Sequence, residues 1–281
     1  MGVQKDYFLP SLNLKYNLND KNSLRLGASK TYTLPQAKEI SPYRYVGVNF
    51  NSQGNPNLKP SDHYNLDLKW DFNPTPTELI SLTAFYKLIK NPISRIEVAS
   101  AGGYLSYENI ADKATVAGVE VEIRKNLFVR PVSNAAHGMN KLSLGLNGSY
   151  IYTNAKMPLA TVTTGSQLEG AAPWIVNFDL SHNFTKGERS FVNTLVLNYV
   201  SDKIYTIGTQ GYQDMMEQGV LTLDFVSQVK LNKHLSFNLK ARNLLNPSYK
   251  LSRKANENGE KVILNDYKKG INISLGVSCT F

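Results

Sequence analysis

The 281-residue chain has one cysteine, Cys279, and four histidines, and its longest apolar run is the six residues Ala171–Val176, interrupted by Pro173. A single cysteine excludes an internal disulfide and a paired-cysteine metal site. His63, His137, His182 and His234 are scattered, with no spacing suited to a shared metal. A membrane-spanning helix needs about 20 consecutive apolar residues, so a helical membrane protein is excluded. Spanning β-strands escape that test, because they need only about 9–11 residues with every second one apolar. The start, MGVQKDYFLPSLN, lacks the charged and apolar regions of a secretory signal. The chain is therefore either intracellular or a mature or partial form of an exported protein. There is no H-E-x-x-H, G-x-S-x-G, Walker-type loop or Rossmann fingerprint. No catalytic residue, metal or cofactor is expected, and the chain is read as a non-enzyme.

What is present is alternation. Leu12, Leu14, Tyr16 and Leu18 alternate with polar residues, as do Tyr64, Leu66, Leu68, Trp70 and Phe72. The same pattern runs through Leu142–Tyr152, Trp174–Leu180 and Leu235–Ala241, with further examples at Leu24–Ala28, Ile80–Tyr86, Val119–Ile123, Leu195–Tyr199 and Leu221–Phe225. Successive strand side chains point to opposite faces, so each segment has one apolar and one polar side. With the closing segment, eleven strands are expected and no helix of comparable length. The chain is all-β and antiparallel.

The connections alternate by length. Short ones fall at Asn19–Asn22, Asn73–Glu78, Thr185–Arg189 and Asn232–His234; long ones at Pro35–Pro60, Asn91–Glu108, Asn154–Ala172, Ser201–Gly219 and Asn246–Lys261. Lys125–Asn140 is of middling length where a short turn is due. Short turns on one side and long loops on the other are the pattern of an outer-membrane barrel; a soluble sandwich has no reason to produce it. From Trp174 to Phe184 a tilted strand climbs roughly 23 Å, close to the height of an apolar belt between aromatic girdles. At the end of the chain Ile271, Ile273, Leu275, Val277, Cys279 and Phe281 share one parity, so the last strand is expected to run to the final residue.

A terminal phenylalanine on an alternating last strand resembles the sorting signature of outer-membrane barrels of Gram-negative bacteria. Three stretches narrow the resemblance. GNPNLKP, Gly54 to Pro60, is similar to the "NPxLKPE" signature of TonB-dependent receptor barrels, with Ser61 where that family usually has glutamate. ENIADKATVAGVEVEIRK, Glu108 to Lys125, is similar to their "N…GvE" strand. ARNLLNPSY, Ala241 to Tyr249, is similar to the penultimate-strand "NLxxxxY" motif. The resemblance implies a plugged barrel of about 22 strands that imports a scarce nutrient such as a ferric siderophore, haem, cobalamin or a glycan. The plug is displaced by a periplasmic energy-transducing complex. Residues 1–281 are then expected to be the C-terminal half of such a barrel, without its plug and signal peptide. Counting agrees, since eleven strands is odd and bacterial single-chain barrels are even. The partners implied are outer-membrane lipid and lipopolysaccharide, the N-terminal half and plug, the TonB complex through that plug, and a small-molecule or glycan ligand. A passive porin-like channel is the alternative, but it would lack these ordered motifs.

Charges on the polar parity, such as Asp67 and Asp71 with Lys69 or Glu120 and Glu122 with Arg124, are expected to line a wet lumen and pair there. His182 shares parity with Leu180 and Phe184 and is read as interfacial. Ligand contacts are expected in the long loops, where Tyr43, Arg44, Tyr45, Phe50 and Lys59 form an aromatic and basic group. Such cations either meet an anionic ligand, contact lipopolysaccharide phosphates, or are simply solvated. Nucleic acid is not expected, because the 31 basic residues are dispersed and no recognition element can be placed. The +9 charge is unexplained, and is expected to belong to lumen and loops rather than to one anionic partner.

Overall fold

The computed structural model describes residues 6–100, 103–132, 138–157, 167–255 and 259–281. His137 and part of the long 154–172 connection lie outside the described residues. In chain order the first elements are β1 (Ser11–Asn19), β2 (Asn22–Thr33), a single helical turn α1 (Ala37–Ile40), β3 (Arg44–Tyr45), β4 (Ser52–Gln53) and β5 (Ser61–Phe72). There follow β6 (Leu79–Lys90), β7 (Ile93–Val98), β8 (Tyr104–Asn109), β9 (Lys113–Pro131), β10 (Met139–Ala155) and β11 (Trp174–Lys186). The remainder is β12 (Arg189–Val200), β13 (Lys203–Thr206), β14 (Met215–Glu217), β15 (Val220–Lys230), β16 (Leu235–Arg242), β17 (Ser248–Lys254), β18 (Lys261–Lys268) and β19 (Asn272–Cys279).

Eleven of these, β1-β2-β5-β6-β9-β10-β11-β12-β15-β16-β19, form one antiparallel sheet, the wall. They are the eleven alternating segments of the sequence. The register joins their apolar parities into a continuous belt. Leu26 lies between Leu14 and Leu68; Leu68 faces Ala84, Ala84 faces Val119, Val119 faces Tyr150 and Tyr150 faces Trp174. Three outward rows nearer the short turns, Leu144 faces Leu180, Leu180 faces Leu195, Leu195 faces Phe225, Phe225 faces Ala241 and Ala241 faces Ile273. Leu12, Leu68 and Leu275 are all more than half exposed on this face, a patch that only a membrane or a partner would cover. The opposite face carries ion pairs: Asp71 with Arg25 and Lys69, each at 3.5 Å, and Arg124 with Glu122 at 2.8 Å. The sheet is open, with β1 and β19 as its edges.

Three expectations need adjustment. The turn expected from Lys125 begins only after Pro131, because β9 continues to pair with β10 through a register shift beside Leu142 and Ser143. Asn126 is opposite Ser143 and Phe128 opposite Leu142, so Leu127 is the extra residue; such a bulge changes the parity of the apolar residues beyond it. β19 stops at Cys279 rather than Phe281, with the Thr280 amide donating to the His234 carbonyl at 2.8 Å. The long connections also hold strands of their own. β3-β4-β8-β7 and β13-β14-β17-β18 make two four-stranded sheets, joined by a parallel bridge between Ile96 and Ile207. Together they form a cap over the long-loop end. The buried apolar residues gather there: Ile96, Ile110, Leu168, Ile204 and Ile207 in one cluster, and Leu105, Met215 and Leu251 in another.

Candidate ligand-binding site in the loop cap

The family-like motifs pin the cap to the wall. Gly54 packs against the carbonyls of Lys38, Glu39 and Ser41, so closely that a Cβ would collide with all three. The Asn55 side chain donates to the Tyr107 carbonyl at 3.0 Å, and Leu58 is buried. Asn109, from the second motif, accepts from the Lys59 amide at 2.8 Å and donates to the carbonyls of Lys59 and Asn91. Two motifs separated by some fifty residues thus clasp each other at the rim. In the third, Asn243 and Asn246 adopt positive φ, a conformation asparagine tolerates better than most side chains. They lock onto Gly270 through Asn243 Nδ2 to its carbonyl at 2.7 Å and its amide to Asn246 Oδ1 at 3.0 Å. That turn launches β17 toward the cap.

β7 ties the loops together. Its alternation sends Ile96 into the apolar cluster and places Arg95 and Glu97 on the other parity. The backbones of Arg95 and Glu97 bond Ile207 on both sides, at 3.0 and 3.1 Å. Glu169 receives both the Arg95 backbone amide and its guanidinium, the latter at 2.8 Å. Glu97 pairs with Arg253, and its carbonyl accepts the Thr209 hydroxyl. One short strand therefore connects the 156–173, 201–219 and 243–271 connections. Burial pushes the Glu169 carboxyl above its ordinary range, and Arg95 offsets only part of that effect. Burial likewise raises the Tyr107 hydroxyl, with Arg95 opposing it.

Between the two cap sheets lies a cavity of about 380 Å³. Phe50, Tyr107, Tyr205, Tyr249 and Tyr267 line it together with Leu105 and Leu251. The Arg95 guanidinium sits 4.0 Å from the Tyr205 ring centre, and Phe50 is 6.5 Å from that ring. Tyr249 and Tyr267 stack at 5.5 Å, and the Lys269 ammonium lies 3.8 Å from the Tyr249 ring. Lys38, Lys250 and Glu217 add charge. Glu217 is held by Lys203 at 3.4 Å, whereas Lys250 reaches Asp266 only at 3.9 Å. Flat aromatic faces bordered by lysines suit a bulky ligand with anionic or electron-rich groups. Among the described residues no group of three or more His, Cys, Asp or Glu could hold a metal ion.

Of the five residues expected from sequence, Phe50 lines the cavity. Tyr43 is three-quarters exposed. Arg44 lies 5.5 Å from the Tyr104 ring, Tyr45 receives Lys38 at 5.7 Å, and Lys59 belongs to the clasp with Asn109. Phe281 is fully exposed beyond β19. Sequence reasoning missed Arg95, Tyr107, Tyr205, Tyr249 and Tyr267; the β-branched Ile93, Ile96 and Val98 were a signal that a strand lay inside its loop.

A family model described as TonB dependent receptor-like, β-barrel, matches residues 2–244. The iron-regulated outer membrane virulence protein of Vibrio cholerae serotype O1 (El Tor Inaba N16961) is 25% identical over 228 residues, which cover 78% of this chain and 32% of that protein. The chain thus spans about a third of its curated relatives' length. Among solved structures, the siderophore receptor PirA of Acinetobacter baumannii superposes with a TM-score of 0.61 at 17% identity, over 97% of this chain and 41% of that one. The copper transporter OprC gives 0.65 at 13% identity, over 96% and 39%. A mutant ferric enterobactin receptor PfeA from Pseudomonas aeruginosa, in complex with enterobactin, gives 0.58 at 18%, over 97% and 40%. At these identities the structural likeness is one of fold.

Proposed function

Because the chain belongs to the family of TonB-dependent receptor-like β-barrels, we propose that residues 1–281 are the C-terminal portion of a receptor that draws a scarce nutrient across the outer membrane. The cap cavity carries this reading: five aromatic rings and two lysines surround a space of about 380 Å³ above a polar-faced wall. A ferric siderophore fits best among the nutrients considered, because its iron-binding groups are anionic and commonly planar. Haem, cobalamin and glycans remain outcomes of the test. The open edges at β1 and β19 call for further strands, since unpaired backbone in lipid costs several kcal/mol per group. Both edge strands run from the cap side to the short-turn side, so the completing strands must be odd in number to stay antiparallel. A plug within that closed barrel and an energy-transducing periplasmic partner acting on it complete the proposal, with lipopolysaccharide around the loops.

The experiment is energised uptake and equilibrium binding of ferric siderophores, haem, cobalamin and oligosaccharides by cells making the receptor that contains this chain. Phe50→Ala combined with Tyr205→Ala is expected to weaken binding of the accepted ligand about tenfold, equivalent to two aromatic contacts. Unchanged binding in the double variant would remove the cavity from the account. Passive, energy-independent passage of unrelated small sugars would favour a porin instead.

A further inference from the structure

The outward face of the wall is not apolar throughout. On β10, β11, β12 and β15 the outward parity carries Asn140, His182, Asn193 and Ser227. In the ladder His182 lies between Leu142 and Asn193, and Asn193 lies opposite Ser227. His182 Nε2 and Asn140 Oδ1 are 2.9 Å apart, and the Ser227 hydroxyl donates to Asn193 Oδ1 at 2.7 Å. One row toward the loops stand Leu180, Leu195 and Phe225; one row toward the short turn stand Phe184 and Phe191, 6.2 Å apart. The turn itself places Lys186 opposite Arg189, both exposed. A third cation, Arg130, is paired with Asn140 and lies 5.5 Å from the Phe128 ring, which is opposite Leu142 on the same face.

Polar side chains facing hydrocarbon are costly unless something satisfies them. Here His182, Asn193 and Ser227 share one row and Asn140 stands beside Phe184 in the next, and both carboxamides use their oxygens in the bonds above, keeping N–H donors for an acceptor. From the belt outward the order is apolar rows, hydrogen-bonding row, aromatic pair and cations. A molecule matching it presents acyl chains, then ester and glycerol oxygens, then a phosphate. Adjacent strands are about 4.8 Å apart, so the long side chains of Arg130 and Lys186, roughly two strands apart, converge on one headgroup. Glu188 in the turn leaves cations in excess.

We propose that this patch is a binding site for an anionic phospholipid on the short-turn side of the membrane. The proposal rests on the wall spanning a bilayer and not on which nutrient the receptor carries. Native mass spectrometry of the delipidated receptor, supplied with phosphatidylglycerol or phosphatidylcholine, tests it. Phosphatidylglycerol is expected to be retained about tenfold better, a difference that His182→Leu with Asn193→Leu, and separately Lys186→Gln with Arg189→Gln, should each reduce at least several-fold. The leucine pair matches the surrounding belt and should fold and insert normally, which heat-modifiable electrophoretic mobility reports. Equal retention of the two lipids, retention unaffected by either pair, displacement by inorganic phosphate, or a second copy of the protein in place of lipid would each overturn the proposal. Failure of the wild type to insert into bilayers at all would instead strike the membrane reading beneath it.

Discussion

In the wall, Leu68 is 51% exposed between Leu26 and Ala84, whereas in the cap Ile207 is 1% exposed beside Ile96 and Ile204. The two regions handle charge just as differently. Wall ion pairs such as Arg124–Glu122 leave the arginine mostly exposed toward the lumen, while Arg95–Glu169 and Arg253–Glu97 lie largely buried among the loops. The wall is thus built for two solvents, lipid outside and water inside, and is held by its ladder. The cap is built like a small soluble domain, with an apolar core and buried ion pairs that fix loop to loop. A preformed cavity needs the second kind of construction, because its lining comes from connections far apart in sequence.

The comparison can be broken first at the belt. Leu68→Arg places a charge near the middle of the outward face and should cost about 3 kcal/mol in urea-dependent unfolding from bilayers; a neutral result would mean this face does not meet hydrocarbon. In the cap, Arg95→Met leaves the Glu169 carboxylate without its partner. An expected cost of about 2 kcal/mol, below that of a fully dry pair because both side chains keep some exposure, should speed hydrogen exchange in β7 and residues 203–217 and leave β12 unchanged. Gly118→Ala tests the tightness of the wall, since a Cβ there meets both the Phe85 ring and the Tyr150 carbonyl. About 1.5 kcal/mol is expected, and a tolerated alanine would show that both the lumen ring and the β10 backbone give way freely.

Acid should separate the regions by sign. At the short turn, Glu78 accepts from Lys125 at 3.0 Å and from the Asn126 amide at 3.1 Å, which holds its carboxyl below the ordinary 4.5. Its contribution is present above that value and is lost as pH falls through the lowered one. Glu169 is shifted upward by burial, so its contribution is present below 4.5 and is lost as pH rises through the raised value. Glu78→Gln should therefore flatten the acid loss of wall stability, and Glu169→Gln should flatten the loss in the cap at higher pH. Exchange rates followed residue by residue across pH are the measurement; parallel behaviour of the two sites would contradict the assignment.

The wall was legible because lipid on one face and water on the other enforce strict alternation over eight residues or more. All eleven strands could be placed from that rule. It failed where Leu127 bulges out and changes the parity and at the last two residues, and it lapsed at Asn140, His182, Asn193 and Ser227, polar residues on the outward parity. The cap was not legible for the converse reason. Its strands are short, down to the two residues of β3 and β4, and their faces meet other loops rather than two solvents. Phe50 could be chosen as an aromatic within a basic loop, but Arg95 acquires its position from Glu169 and Tyr205, residues 74 and more positions away. Lys59 looked like a loop cation and serves through its backbone, in the clasp with Asn109. No local pattern encodes such pairings.

The most direct test of the account is a spin-label scan along β12, one cysteine at a time from Val192 to Tyr199 in a Cys279→Ala background, with the protein in bilayers. Collisions with dissolved oxygen should peak at 195, 197 and 199, and collisions with a water-soluble nickel chelate at 194, 196 and 198. Equal accessibility along the strand, or oxygen peaks on the even positions, would contradict a lipid-facing wall and everything built on it.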